Sequence, residues 1–224
     1  PRVVSAYIKV PSSALGSLRT IASWGNSVTN GKWIVALDDT TGKLALATYG
    51  ARIKGGPNLM DNQWHHVAVV LPFGATNINQ VKLYVDGMEV ATNAASLNAS
   101  INTVLSAVTI GANNSSTQAG GYVPSSLFIG AIDEVRIYSL GMAASEVAGL
   151  AGVNFYEEDS FIGHWGLDET FGINTSDSSA YSNKGLVYGS PANSTGVDGG
   201  CYVFDGIDDY VTVPAVISTN SEAF

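Results

Sequence analysis

A chain of 224 residues, 46% hydrophobic and only 13% charged, carries enough apolar material for a core and too little charge to stay disordered. A net charge of −9 repels nucleic-acid phosphates and suits divalent cations or neutral glycans. The single cysteine, Cys201, excludes an intrachain disulfide and a cysteine-built metal site, and no apolar run reaches the ~18–20 residues that a membrane span needs.

Short β-branched runs with period-2 alternation dominate the chain, separated by turns drawn from its 25 glycines and its Ser, Thr and Asn. Strands are predicted at Val3 to Val10, Leu18 to Trp24, Lys32 to Leu37 and Leu44 to Tyr49, with a hairpin turn around Asp38-Asp39-Thr40-Thr41-Gly42. His65 to Leu71 and Gln80 to Val85 follow, and Asp86-Gly87 marks a tight turn into Met88-Glu89-Val90. Val108 to Ile110 and Phe128 to Tyr138 continue the pattern. One helix is predicted, Met142 to Leu150, starting at Ser145 and stopping at Gly152. The acidic stretch 154–160 reads as a linker. Strands resume at Phe161 to Leu167, Gly185 to Tyr188, Cys201 to Phe204 and Asp209 to Val213. The result is an all-β sandwich with one short helix, in which 161–224 holds too little to form a core alone.

Several motifs resemble those of bacterial laminin-G-like domains, of the concanavalin A-like jelly-roll type. Residues 62–69 (NQWHHVAV), 82–87 (KLYVDG), 110–112 (IGA) and 128–138 (FIGAIDEVRIY) are similar to the C-terminal half of that family, in order. Residues 163–169 (GHWGLDE), 177–185 (DSSAYSNKG) and 199–211 (GGCYVFDGIDDYV) resemble its opening strands. The family places the opening strands first, whereas here the body comes first. Ser221-Glu222-Ala223-Phe224 reads almost directly into Val4-Ser5-Ala6-Tyr7-Ile8-Lys9, so the pattern closes into a circle. The chain divides into a body at 1–153, a linker at 154–160 and a donor or permuted segment at 161–224. The segment either folds back onto its own body or is donated in trans, which propagates head-to-tail. The reading favoured here is a filament of copies of the chain, outside the cell; the alternative is a carbohydrate-binding module of a larger secreted or tandem-repeat protein. A start at Pro1, without a methionine, fits a processed or excised chain.

The resemblance implies no catalysis. Glycosidases of this fold carry an E-x-D-x-x-E strand, and a retaining pair sits about 5–5.5 Å apart. The chain has no such strand, and adjacent Asp133 and Glu134 are predicted on opposite faces. His65 and His66 likewise point apart, one in the core and one exposed. Calcium is the candidate cofactor. Asp205, Asp208 and Asp209 cluster around Gly206, and Asp133 opens a strand similar to one carrying a structural calcium ligand in related glycanases. Trp24, Trp33, Tyr49 and Tyr122 are candidate sugar platforms, whereas Trp64 and Trp165 fall at family core positions. Glycosylation sequons stand at Asn98, Asn113, Asn114, Asn174 and Asn193.

Overall fold

The computed structural model describes residues 1–93, 99–104, 106–114, 124–152 and 161–214. The body opens with β1 (Arg2–Lys9), β2 (Arg19–Gly25), β3 (Lys32–Leu37), β4 (Leu44–Thr48) and β5 (Ala51–Gly55). It continues with β6 (Trp64–Leu71), β7 (Lys82–Val85), β8 (Met88–Val90), β9 (Thr92–Asn93) and β10 (Val108–Ile110). A short pair, β11 (Asn113–Asn114) and β12 (Pro124–Ser125), precedes the long β13 (Ile129–Tyr138) and the helix α1 (Ala144–Leu150). The C-terminal segment supplies β14 (Phe161–Trp165), β15 (Asn174–Thr175), β16 (Gly185–Tyr188), β17 (Ala192–Thr195), β18 (Gly200–Asp205) and β19 (Tyr210–Val213).

Two antiparallel sheets face each other. One runs β17-β18-β13-β1-β6-β7-β8, with β14 also on β13; the other runs β15-β16-β19-β10-β2-β3-β4-β5-β9. Alternation places Val4, Ala6 and Ile8 of β1 inward, against Val35, Leu37, Leu44 and Leu46 of the opposing sheet. The predicted turns form as their residues demand. Asp86 and Gly87 take φ of 50° and 78°, both left-handed, which a two-residue hairpin turn requires. Asp38 accepts from the backbone N–H groups of Thr40 and Thr41 at 3.3 and 3.0 Å and pairs with Arg52 and Lys54, which hold its carboxyl well below the ordinary range against the upward push of burial. Helix α1 is capped differently from the expectation. Ser145 lies inside it, and the Glu146 carboxylate accepts from the Ala143 N–H at 2.6 Å.

Residues 161–214 complete both sheets of their own body. β14 lies along Val135–Tyr138 and β18 along Ile129–Ile132 of the same β13 edge, while β19 joins β10 from Val108↔Val213 to Ile110↔Val211. Ile162, Trp165, Leu167, Tyr202, Phe204, Val211 and Val213 enter the common core. Within one copy of the chain the strands fold back in cis. The reason lies in α1. Its Val147 and Leu150 pack with Tyr138 and Phe161 on the outer face of the first sheet, so the helix returns the chain to the end of β13 where β14 must start. Eight residues, 153–160, join Gly152 to Phe161, and an extended run of that length reaches at most ~28 Å.

Phe204 is 1% exposed and meets Phe128 of the body edge-on at 6.3 Å. Phe204→Ala is expected to cost about 3–5 kcal/mol, with fluorescence and circular dichroism reporting one coincident urea transition. Two separate transitions would show that the segment unfolds independently of the body.

Candidate functional site

The outer face of the first sheet divides into three zones, each two residues further along the strands. At one end α1 covers Val3, Ala68, Val70 and Tyr138. In the middle lie Ser5, Tyr7, His66, Arg136, Glu134 and Asp133, nearly all buried. At the other end, Lys9, Trp64, Ala131 and Ile129 border an open cavity.

The middle zone arises from a bulge in β13. The pairing slips between Ser5↔Arg136 and Tyr7↔Asp133, and Glu134 takes φ of 53°. Ile132 and Val135 both face the core, so Asp133 and Glu134 between them share the outer face. Strict alternation had placed them on opposite faces; the extra residue is what overturns it. Glu134 accepts from Arg136 and lies 2.9 Å from His164 Nε2. Burial pushes Glu134 upward, but those two partners outweigh it and hold the carboxyl below its ordinary range. The other His164 nitrogen, Nδ1, meets the Ser178 hydroxyl at 2.7 Å. Asp177 fixes the loop beneath, accepting from the backbone N–H groups of His164, Ser179 and Asn183. These contacts bind β14 and its loop to the body. The series Glu134–His164–Ser178 is spaced like an acid–base relay, but Ser178 lines neither of the two cavities described below.

Asp133 is fully buried, accepts from the N–H groups of Val197 and Asp198 at 2.6 and 3.2 Å, and keeps Oδ1 without a partner among the described residues. Burial raises it to about 6 despite those bonds. It does not join the predicted calcium cluster. Asp205, Asp208 and Asp209 do converge, with one oxygen of each within 4.8 Å of the others. Asp205, however, pairs with Ile129, four positions along β13 from Asp133, roughly 13 Å at ~3.3 Å per residue. The three aspartates are the residues that could hold a hard cation. Asp205 accepts from Ile207 N–H at 2.7 Å, and Asp209 accepts from Ser190 and Asp205 N–H at 2.7 and 3.0 Å, which is turn chemistry.

His66 is 2% exposed, with the Tyr7 ring edge-on at 5.1 Å and neither nitrogen partnered among the described residues; burial lowers it to about 4. It is the buried histidine of the pair, lying on the outer face of the first sheet and not in the core between the sheets. His65 sits half-buried between Asp61 and Asp86, 3.2 and 2.9 Å away.

The aromatic expectations divide. Trp24 and Trp33 are 1% and 0% exposed, face each other across β2 and β3 in the core and carry the Arg2 guanidinium at 5.7 and 4.9 Å. They cannot stack on a sugar. Inward alternation on two adjacent strands buried them, and Arg2, on the core-facing register of β1, provides the cation they cover. Tyr49 is exposed at the β4–β5 turn, 52%, and Tyr122 lies outside the described residues. Trp165 is buried as expected, whereas Trp64 is only half-buried, because at the first residue of β6 the sheet no longer has a covering layer. Among the sequons, Asn174 and Asn193 are exposed, and Asn113 is half-buried with its amide oxygen accepting from Lys32 Nζ at 2.9 Å. Asn114 closes β11, and Asn98 lies outside the described residues.

Trp64 borders a cavity of about 320 Å³. Ala131, Val203 and Phe204 give it an apolar floor, and Lys9, Asn62, Ser194 and Thr195 supply polar groups. One wall belongs to the body and the other to the β17–β18 hairpin of the C-terminal segment. An aromatic side, an apolar floor and a few polar groups form the arrangement that holds a small polar ligand with one flat apolar face.

Residues 4–148 match the model of the concanavalin A-like lectin/glucanases superfamily, and the chain belongs to that family. A Bacteroides ovatus protein assigned to carbohydrate binding superposes with a TM-score of 0.56 at 18% identity, covering 82% of this chain. The match spans half of that protein's own length. The CBM40 module of the Ruminococcus gnavus IT-sialidase, bound to α2,3 sialyllactose, superposes with a TM-score of 0.50 at 14% identity, over 68% of this chain and 82% of the module. No curated protein sequence matches the chain.

Asp133→Asn keeps an oxygen for the Val197 and Asp198 N–H groups and removes the buried charge. A carboxyl raised in the folded state binds its proton earlier there than in the unfolded chain, so wild-type stability rises as pH falls through about 6 towards the ordinary aspartate value. The variant is expected to lack that rise and to equal or exceed wild type at pH 7, with a difference on the order of 1–3 kcal/mol in denaturation curves across that window.

Proposed function

We propose that this chain is a non-catalytic carbohydrate-binding module of a secreted protein and that a sugar seats against Trp64 in the cavity at the open end of the first sheet. The observation carrying this reading is the half-buried tryptophan beside an apolar floor and the polar groups of Lys9, Asn62, Ser194 and Thr195. The superfamily of lectins and glucanases supports it, as do the carbohydrate-binding assignments of the two superposed proteins. Among the described residues no helix is long and apolar enough to cross a membrane, which accords with the extracellular placement proposed here. Trp64→Ala is expected to weaken binding of soluble oligosaccharides at least about tenfold, about 1.4 kcal/mol, by titration calorimetry, while Tyr49→Ala leaves it unchanged. Full binding by the Trp64 variant would remove the site.

Self-assembly is the second reading, supported by one observation. Residues 161–214 pair only with the body or with one another, so the same registers can form on another copy, with 153–160 as the crossing. Chain refolded at high concentration is then expected to yield head-to-tail oligomers in light scattering and fibres under negative stain. Monomer at every concentration would end this reading.

A further inference from the structure

A second cavity, of about 220 Å³, lies on the other face of the same hairpin that walls the first. Its lining includes Glu169, Phe171, Ile173, Asn193 and Tyr202. Phe171 and Ile173 form its apolar lip, 89% and 65% exposed. Opposite the lip, Glu169 accepts from Tyr202 OH at 3.2 Å and from Ser176 N–H at 2.6 Å, and Asn193 Nδ2 donates to the Glu169 carbonyl at 2.6 Å. Those bonds fix both side chains and leave acceptor capacity on the carboxylate and on the Asn193 amide oxygen.

The hairpin contributes residues to both cavities. Ser194, Thr195, Cys201, Val203 and Phe204 line the first, and Asn193 and Tyr202 line the second. β17 contributes residues to both cavities. It ends the sheet, all four of its residues are exposed, and no described strand pairs with its outer edge. Such an edge presents backbone N–H and C=O groups to whatever crosses it. A ligand that crosses from Trp64 to Phe171 must therefore be long, carry hydroxyls along its length and expose apolar faces at intervals. Glu169 is the charged residue of the second cavity, which disfavours an anionic unit there.

We infer that the two cavities are subsites for one neutral polysaccharide chain lying across the β17 edge, with Trp64 and Phe171 as its two stacking platforms. This rests on the proposed sugar seat at Trp64 and specifies its ligand as an internal stretch of a neutral glycan, not a terminal monosaccharide. Titration calorimetry with malto-, cello-, xylo- and arabino-oligosaccharides from monomer to hexamer tests it on the full chain. One series is expected to gain at least about tenfold in affinity once the chain is long enough to span the edge, corresponding to about 1.4 kcal/mol. Phe171→Ala, which removes an exposed side chain, is expected to abolish that gain and leave the short sugars unaffected. Trp64→Ala is expected to weaken every length. Affinity independent of length, or a Phe171→Ala variant that keeps the gain, overturns the second subsite while leaving the first in place. Normal binding by Trp64→Ala, or no binding by any series, overturns the seat at Trp64 and this inference with it.

Discussion

The sandwich depends on β13 being paired along both edges. One edge carries β1 along almost its whole length, and the other is shared between β18 and β14. A ten-residue strand with one bare edge would expose a row of unpaired N–H and C=O groups beside an apolar core. The C-terminal segment is what removes that exposure. Sharing one edge between two strands also explains the bulge. β18 covers Ile129–Ile132 and β14 covers Val135–Tyr138, and Asp133 and Glu134 fall in the gap between them. Their carboxylates turn outward there and become the fastening points: Asp133 to the β17–β18 turn, Glu134 through His164 to the loop at Ser178.

Circular order follows from the same geometry. Arg2 lies over Trp24 and Trp33 at one end of the sandwich. Ser23 pairs with Thr109, and the neighbouring Val108 pairs with Val213. The start of β1 and the end of β19 therefore lie at the same end of the fold. Where the ends of a sandwich are neighbours, the polypeptide can be cut at another loop without altering a single strand pair, and the family's strand order can begin in its middle.

The motif text made the fold legible, because those motifs are the strands with the strongest alternation and the turns with the strictest φ requirements. Where sequence and structure part, one interaction is responsible each time. β17 (Ala-Asn-Ser-Thr) has no apolar face and is a strand only because β18 lies beside it. β5 is absent from the predicted strands although Ala51 and Ile53 alternate inward; Arg52 and Lys54 on its other face find their partner in Asp38, 14 and 16 residues upstream. Trp24 and Trp33 resembled surface platforms because nothing local reveals that Arg2, from the other sheet, lies over them. Trp64 is expected in the core because it falls at a family core position, yet it begins its strand, beyond the layer that covers the rest. Alternation identifies a residue's face, not whether that face is covered.

Coverage ties the candidate site to the fold's central seam. The cavity at Trp64 takes Lys9 and Ile129–Ala131 from the body, and Ser194, Thr195, Cys201 and Val203 from the segment. Neither part holds it alone. A ligand seated there binds the docked arrangement and not the open one, and so stabilises docking by RT ln(1 + [L]/Kd), about 2.7 kcal/mol at a hundredfold excess over Kd. Binding in this cavity and strand completion are for that reason linked equilibria: whatever holds β18 against β13 also builds the cavity's second wall.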